Sequence, residues 1–134
     1  MYYADNSHET QIAVGPSIRA IGWLDDEHPF SMGSTSAEFR DRLRALCNGW
    51  PDGLEALGWP VAAGTHSCQL CGEFRAAGNI GVPGGDGLFV APEMVAHYVD
   101  AHDYQPPQEF IEAVLKCPDP GTPAYAAAVR FSGA

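Results

Sequence analysis

Four side chains able to ligate a metal fall in two close pairs. Cys68 and Cys71 lie in GTHSCQLCGEF, and His97 and His102 lie in APEMVAHYVDAHDYQPPQEF, so the set reads C-x2-C-x25-H-x4-H. Two residues between cysteines let both thiolates of one tight turn reach a tetrahedral ion at about 2.3 Å. The histidine gap falls in the three-to-five range of zinc fingers, and the chemistry implied is one bound Zn2+. The phase of the histidines is less favourable. On an α-helix, positions five apart point roughly 140° away from each other, whereas positions four apart differ by roughly 40°. The pair therefore converges only if the last turn tightens or ends before His102, and the break DYQPP beyond it offers such an end.

Four protein ligands close a tetrahedral site, while a catalytic zinc keeps three and leaves a position for water. The set Cys68, Cys71, His97 and His102 thus implies a structural ion, with no catalytic residue assigned. His66, two residues before Cys68, carries the competing reading. It could replace a more distant ligand or hydrogen-bond one, and a zinc-dependent hydrolase would use an open metal position near it. The deaminase pattern H-x-E with P-C-x-x-C is absent, as are H-E-x-x-H, G-x-S-x-G, a Walker loop and a dinucleotide fingerprint. A redox C-x-x-C opens a helix after a strand, and Gly72 followed by strand-forming residues argues against that. Asp25, Asp26, Glu27 and His28 crowd one turn and could form a second metal site or an acid–base pair. Carboxylates this dense on a turn are ordinarily solvated surface.

The elements that must hold these residues follow from pattern. Residues 1–16 read as a mobile or edge-pairing arm ending at Gly15-Pro16, and SIRAIGWL (17–24) reads as a strand. Thr35 and Glu38 have capping-box spacing ahead of a helix whose stripe is Phe39, Leu43 and Leu46, with Asn48-Gly49 as its stop. A short helical turn is expected around Leu54–Leu57. GTHSCQLCGEF reads as strand, knuckle, strand, and NIGVPGGDGLFVAP as a β-hairpin turning at Asp86. Pro92 suits the first position of a helix that buries Val95, Tyr98 or Val99. Pro107 opens another helix, carrying Phe110, Val114 and Cys117, which Pro118 ends. AYAAAVRF (124–131) forms a last strand or short helix. Cys47 and Cys117 read as buried hydrophobes, and Trp23, Trp50 and Trp59 as core or core edge. Tyr104, Pro106 and Pro107 either wall off the metal and terminate the helix or form an aromatic–proline docking surface.

The fold class expected is α+β, a small mixed domain with a zinc-finger-like knuckle–hairpin–helix unit in the C-terminal half. It would be a single domain over 1–134: a strand-and-helix lobe over 1–60, a zinc-binding ββα-like unit over 61–117 and a tail over 118–134. Composition agrees, with 46% apolar and 18% charged residues, which suffices for a packed core. The net charge is −10, from 17 acidic against 7 basic residues. A Cys2His2 zinc leaves that balance alone, because two thiolates cancel the dication. Such a surface repels phosphate backbones, so nucleic acid is not expected, and a protein with a basic surface is the expected partner. The opening MYYADNSHET is polar, and no run is long and apolar enough to span a bilayer. A reducing cytoplasm follows as the expected compartment, where a close cysteine pair more often binds metal than forms a disulfide.

The C-terminal half resembles a group of small, functionally uncharacterised bacterial proteins with G-x-H-x-C-x-x-C followed by H-Y-x-x-x-H-x-Y-x-P-P-x-x-F. The likeness is weaker at IGWLDDEHPF. It implies a bacterial source and groups the four candidate ligands as one unit, and it brings no activity. In ligand order the chain is also similar to Cys2His2 fingers, from which its long central gap and acidity depart. The function implied is a small acidic zinc-binding protein acting by protein–protein contact, immunity-like or a regulatory adaptor.

Overall fold

The computed structural model describes residues 2–10, 12, 14–48, 57–59, 66–76, 78–85 and 87–129, with the side chains of Asn48 and His66 outside that set. The elements run β1 Ile18–Ala20, α1 Ala37–Asn48, β2 His66–Ser67, β3 Arg75–Ala76, β4 Asn79–Gly84, β5 Gly87–Pro92, α2 Val95–His102, α3 Gln108–Lys116 and α4 Pro123–Val129. This is an α+β fold. Gly49, Trp50, most of the turn expected at 54–57, Asp86 and residues 130–131 lie outside the described residues.

A three-stranded sheet, ordered β1-β5-β4, forms the centre. The β4–β5 hairpin is antiparallel from Asn79↔Pro92 to Gly84↔Gly87, and β1 adds in parallel through Arg19↔Phe89. Asn79, Ile80, Gly81 and Val82 are buried in succession rather than alternately, the mark of a strand covered on both faces. Helices α1, α3 and α4 all pack on β4, and α1 also packs on α2 and α3. Phe110 of α3 meets Phe39 and Phe89 edge-on, and Tyr125 of α4 donates its hydroxyl to the Gly81 carbonyl at 2.6 Å.

The amphipathic reading of α1 holds, with Phe39, Leu43, Leu46 and Cys47 buried. Its cap is Ser36 rather than Thr35. The Ser36 hydroxyl accepts the Phe39 N–H at 3.1 Å, the N-cap to N3 geometry, and Thr35 instead accepts from the Arg40 guanidinium. Arg42 crosses to α3, donating to the Val114 carbonyl at 3.1 Å and the Cys117 carbonyl at 2.5 Å. It thus adds a second donor to the Val114 carbonyl, which already accepts the Cys117 N–H, and supplies one to the Cys117 carbonyl beyond the end of α3. Pro92 proves to be the last residue of β5, paired to Asn79, and α2 starts three residues later. The tail AYAAAV is helical, capped by Thr122 through the Tyr125 N–H at 3.2 Å.

The arm pairs along the open edge of β1. Asn6 N–H donates to the Ala20 carbonyl and Ala20 N–H to the Ser7 carbonyl, both at 2.7 Å, and Tyr3 N–H donates to Trp23. The strand expected over 17–24 is cut to three residues by Gly22, which sits at φ +74. Its N–H donates to Asp5 Oδ1 at 3.1 Å, while the other Asp5 oxygen accepts the Tyr104 hydroxyl at 2.8 Å. A Cβ at Gly22 would stand 2.6 Å from Val95 Cγ2. The change Gly22→Ala combines a left-handed backbone penalty with overpacking and should cost roughly 3 kcal/mol. Urea unfolding checks this, and a loss below about 0.5 kcal/mol would show that the site relaxes freely.

Candidate metal centre

Each cysteine is presented by a knuckle that the local sequence builds. The two-residue strands β2 and β3 pair through His66↔Ala76 and Ser67↔Arg75. Between them Cys68 N–H donates to the Phe74 carbonyl at 2.8 Å, and Gly72 N–H returns to the Cys68 carbonyl at 2.7 Å. Gly72 holds φ +72, the left-handed conformation that lets the chain turn straight into β3. The backbone N–H groups of Leu70 and Cys71 both point at the Cys68 sulfur. Burial pushes the Cys68 thiol up, and these two N–H groups pull against that shift. Such donors favour the thiolate, the form that binds metal.

The histidines come from α2. Its last turn does not tighten, nor does the helix end before His102, as the phase argument expected. It widens: the Asp103 N–H bonds the Tyr98 carbonyl five residues back, and Tyr104 N–H joins the same acceptor at 3.1 Å. A five-residue closure holds more residues per turn than an α-helix, so the angular step shrinks and positions five apart rotate toward one face. Asp103 then leaves the helix at φ 55. The His97 and His102 ring centroids end 5.0 Å apart. Phe74 of the knuckle stacks on His97 at 4.5 Å and 7°. Burial and the neighbouring His102 hold the His97 imidazole below its ordinary range, leaving it neutral and free to donate a lone pair near pH 7.

All four candidate ligands meet. Cys68 Sγ lies 3.4 Å from His102 Nε2, and Cys71 Sγ lies 3.4 Å from His97 Nε2. One donor atom from each residue falls within 4.8 Å of every other. Tetrahedral bonds of about 2.3 Å to sulfur and 2.0–2.1 Å to nitrogen put such S and N atoms about 3.5 Å apart. Two of the sulfur–nitrogen distances match that spacing, the donor chemistry suits a metal ion, and these residues lie close enough to hold one. Cys68 is fully buried and Cys71 exposed, so the site sits at the edge of the core. Cys47 and Cys117 stand apart as buried thiols, pushed up by burial to about 12 and about 11, too high for thiolate chemistry at neutral pH.

The remaining candidates are not among the four clustered residues. His66 pairs through its backbone in β2, and its side chain lies outside the described residues. The acidic turn is held by Asp25 Oδ1, which accepts the N–H groups of Glu27 and His28 and the His28 ring at 2.8 Å. It touches the knuckle, where Asp26 N–H donates to Gln69 Oε1 at 3.4 Å. Partial desolvation raises the Asp25 carboxyl, but the His28 ring and those N–H groups outweigh it and hold the group below its ordinary value. Tyr104 is fully buried and Pro106 is buried, so they belong to the core rather than to a docking surface. What sequence reasoning missed is the tie from Tyr104 to Asp5, for which pattern gives no signal across so long a separation.

Fold and site together define a small α+β domain with a possible Cys2His2-type metal site between a knuckle and a helix. Residues 1–115 match a domain of unknown function, DUF7919, and the chain belongs to that family. The match takes in the sheet, the knuckle, α2 and nearly all of α3. No curated protein and no solved structure matches the chain.

Cobalt reports on the site directly. Titration of metal-free protein with Co2+ should give the visible bands of tetrahedral cobalt with thiolate charge transfer, saturating at one equivalent. Cys68→Ser and His102→Ala should each weaken binding by about tenfold or more. Unchanged titrations in both variants would show that these side chains do not converge on an ion.

Proposed function

We propose that this chain is a single-domain, zinc-binding protein whose Cys2His2 ion is structural and whose role is to contact a protein partner with a basic surface. The observation that carries the structural reading is how little of the knuckle is buried among the described residues. β2 and β3 contribute two residues each, and Ser67, Gln69 and the run from Cys71 to Arg75 are exposed. An isolated two-stranded ribbon is marginal in water. An ion held by Cys68 and Cys71 on one side and His97 and His102 on the other would fasten it to α2. Four protein ligands leave no position for water, so the ion would supply folding energy rather than Lewis-acid chemistry.

The partner reading rests on charge. At −10 the chain would steer a basic surface toward itself and repel polyanions. No helix among the described residues is long and apolar enough to cross a membrane. A cytoplasmic adaptor or an immunity-like inhibitor matches this combination of size, charge and metal.

Two measurements test the proposal. Purified protein should carry about one equivalent of zinc with X-ray absorption of an S2N2 shell. Chelation should lower the thermal midpoint by at least several degrees. An open, water-bearing shell would overturn the structural role in favour of a hydrolase. Crosslinking in an extract of the source cell should then capture one discrete basic protein at low salt and lose it as salt rises. Recovery of no discrete protein at any salt would sink the partner reading.

A further inference from the structure

Away from the metal centre the arm roofs a cavity of about 320 Å³, lined by Tyr2, Tyr3, Asp5, Leu24 and Phe30 among others. That volume lies in the range of pockets that take small ligands. Each of its three aromatic rings is itself fixed by another ring. Tyr3 meets Trp23 edge-on at 5.5 Å, Phe30 meets Tyr104 at 6.2 Å, and Tyr2 stacks on His28 at 3.9 Å. His28 in turn is held by Asp25. The rings are thus positioned before anything binds, which removes part of the ordering cost of binding.

The carboxylate among them is Asp5. Each of its oxygens accepts one hydrogen bond from within the protein, from Gly22 N–H and from the Tyr104 hydroxyl. Each therefore retains acceptor capacity. Among the described residues no Lys, Arg or His forms an ion pair with Asp5. A carboxylate with no ion-pair partner among the described residues, lining one cavity with three aromatic rings, is an environment that attracts a cation.

We propose that this cavity receives the guanidinium of an arginine side chain on the protein partner. The guanidinium is favoured over an ammonium because it is planar, stacks on aromatic rings and can address both free lone pairs of one carboxylate. The assignment rests on the reading that the partner is a basic protein, and it names where one of its charges lands.

The test uses the zinc-loaded full chain and three probes: Nα-acetyl-arginine amide, its lysine counterpart and its neutral citrulline counterpart. NMR titration with the arginine probe should give saturable shifts centred on Tyr2, Tyr3, Asp5 and Phe30. The lysine probe should bind several-fold more weakly and the citrulline probe not at all. Asp5→Asn keeps both internal hydrogen bonds, because the Tyr104 hydroxyl can turn to accept from the new amide, and removes the charge together with the free acceptor on one oxygen. It should weaken the arginine probe by roughly tenfold with little change in thermal midpoint. Should that variant fail to fold, Tyr2→Ala, at the outer end of the arm, should show the same loss. Absence of saturable shifts, equal response to citrulline, or unchanged binding in a folded Asp5→Asn would overturn the cavity's role. Lysine binding as tightly as arginine would overturn the choice of guanidinium. Partner capture on the same preparation separates the two ideas. Salt-sensitive capture with no arginine binding sinks the cavity alone, and arginine binding with no partner sinks the partner reading alone.

Discussion

The left-handed turn at Asp103 is the constraint on which the rest depends. One residue at φ 55 ends α2, and three consequences follow within two positions of it. The widened closure onto the Tyr98 carbonyl rotates His102 toward His97. The chain reverses so that Tyr104 enters the core beside Gly22. The segment then runs against residues 31–33, where Gly33 N–H donates to the Asp103 carbonyl and Gln105 N–H to the Ser31 carbonyl, both at 2.9 Å. Aspartate tolerates this conformation better than most residues, because its short polar side chain can bond locally. A β-branched residue there would strain the turn and disturb the histidine geometry together with the Tyr104 anchor.

A second constraint is the imbalance between the two sheets. The β1-β5-β4 sheet is covered by α1, α3 and α4 and has burial to spare. Among its described side chains the β2–β3 ribbon with its knuckle has one that is fully buried, Cys68, and the others are largely exposed. Small units that cannot bury enough apolar surface are stabilised by crosslinks or ions. The donor atoms stand where such a fastener would act, bridging the poorly buried ribbon to a helix that is itself well packed through Val95, Tyr98 and Val99. The stack of Phe74 on His97 crosses the same seam, so the seam is drawn by apolar contact as well as by the ligands.

Much of this was legible from local pattern. Apolar spacing marked α1 and α3, turn glycines marked the hairpin, and the cysteine and histidine spacings marked the four side chains that come together, because each signal lies within one element. What failed depends on distance or on competition between neighbours. Thr35 and Ser36 are both good caps, and Ser36 takes the role while Thr35 accepts from Arg40 one turn on. Pro92 fits a helix start as well as an edge position, and pairing with Asn79 settles it as strand. Gly22 leaves the strand conformation at φ +74, and Val95, far along the chain, stands where a side chain there would go. The histidine phase could be posed from sequence but not solved, since widening depends on how Asp103 and Tyr104 close onto Tyr98.

The arm shows how one polar side chain can join regions that share no sequence pattern. Asp5 bonds the turn in β1's continuation through Gly22 and the end of the α2 segment through Tyr104. Burial raises the Tyr104 hydroxyl well above the ordinary phenol range, with Asp5 adding to the shift, so this group stays a neutral donor and the carboxylate keeps its bond. Tyr104 also packs against Phe30, which lines the cavity with Asp5. Only Asp103 separates Tyr104 from His102, the last of the four converging ligands. Support for the cavity wall and one of the four clustered side chains therefore come from one turn, and a change that reorients this turn acts on both at once.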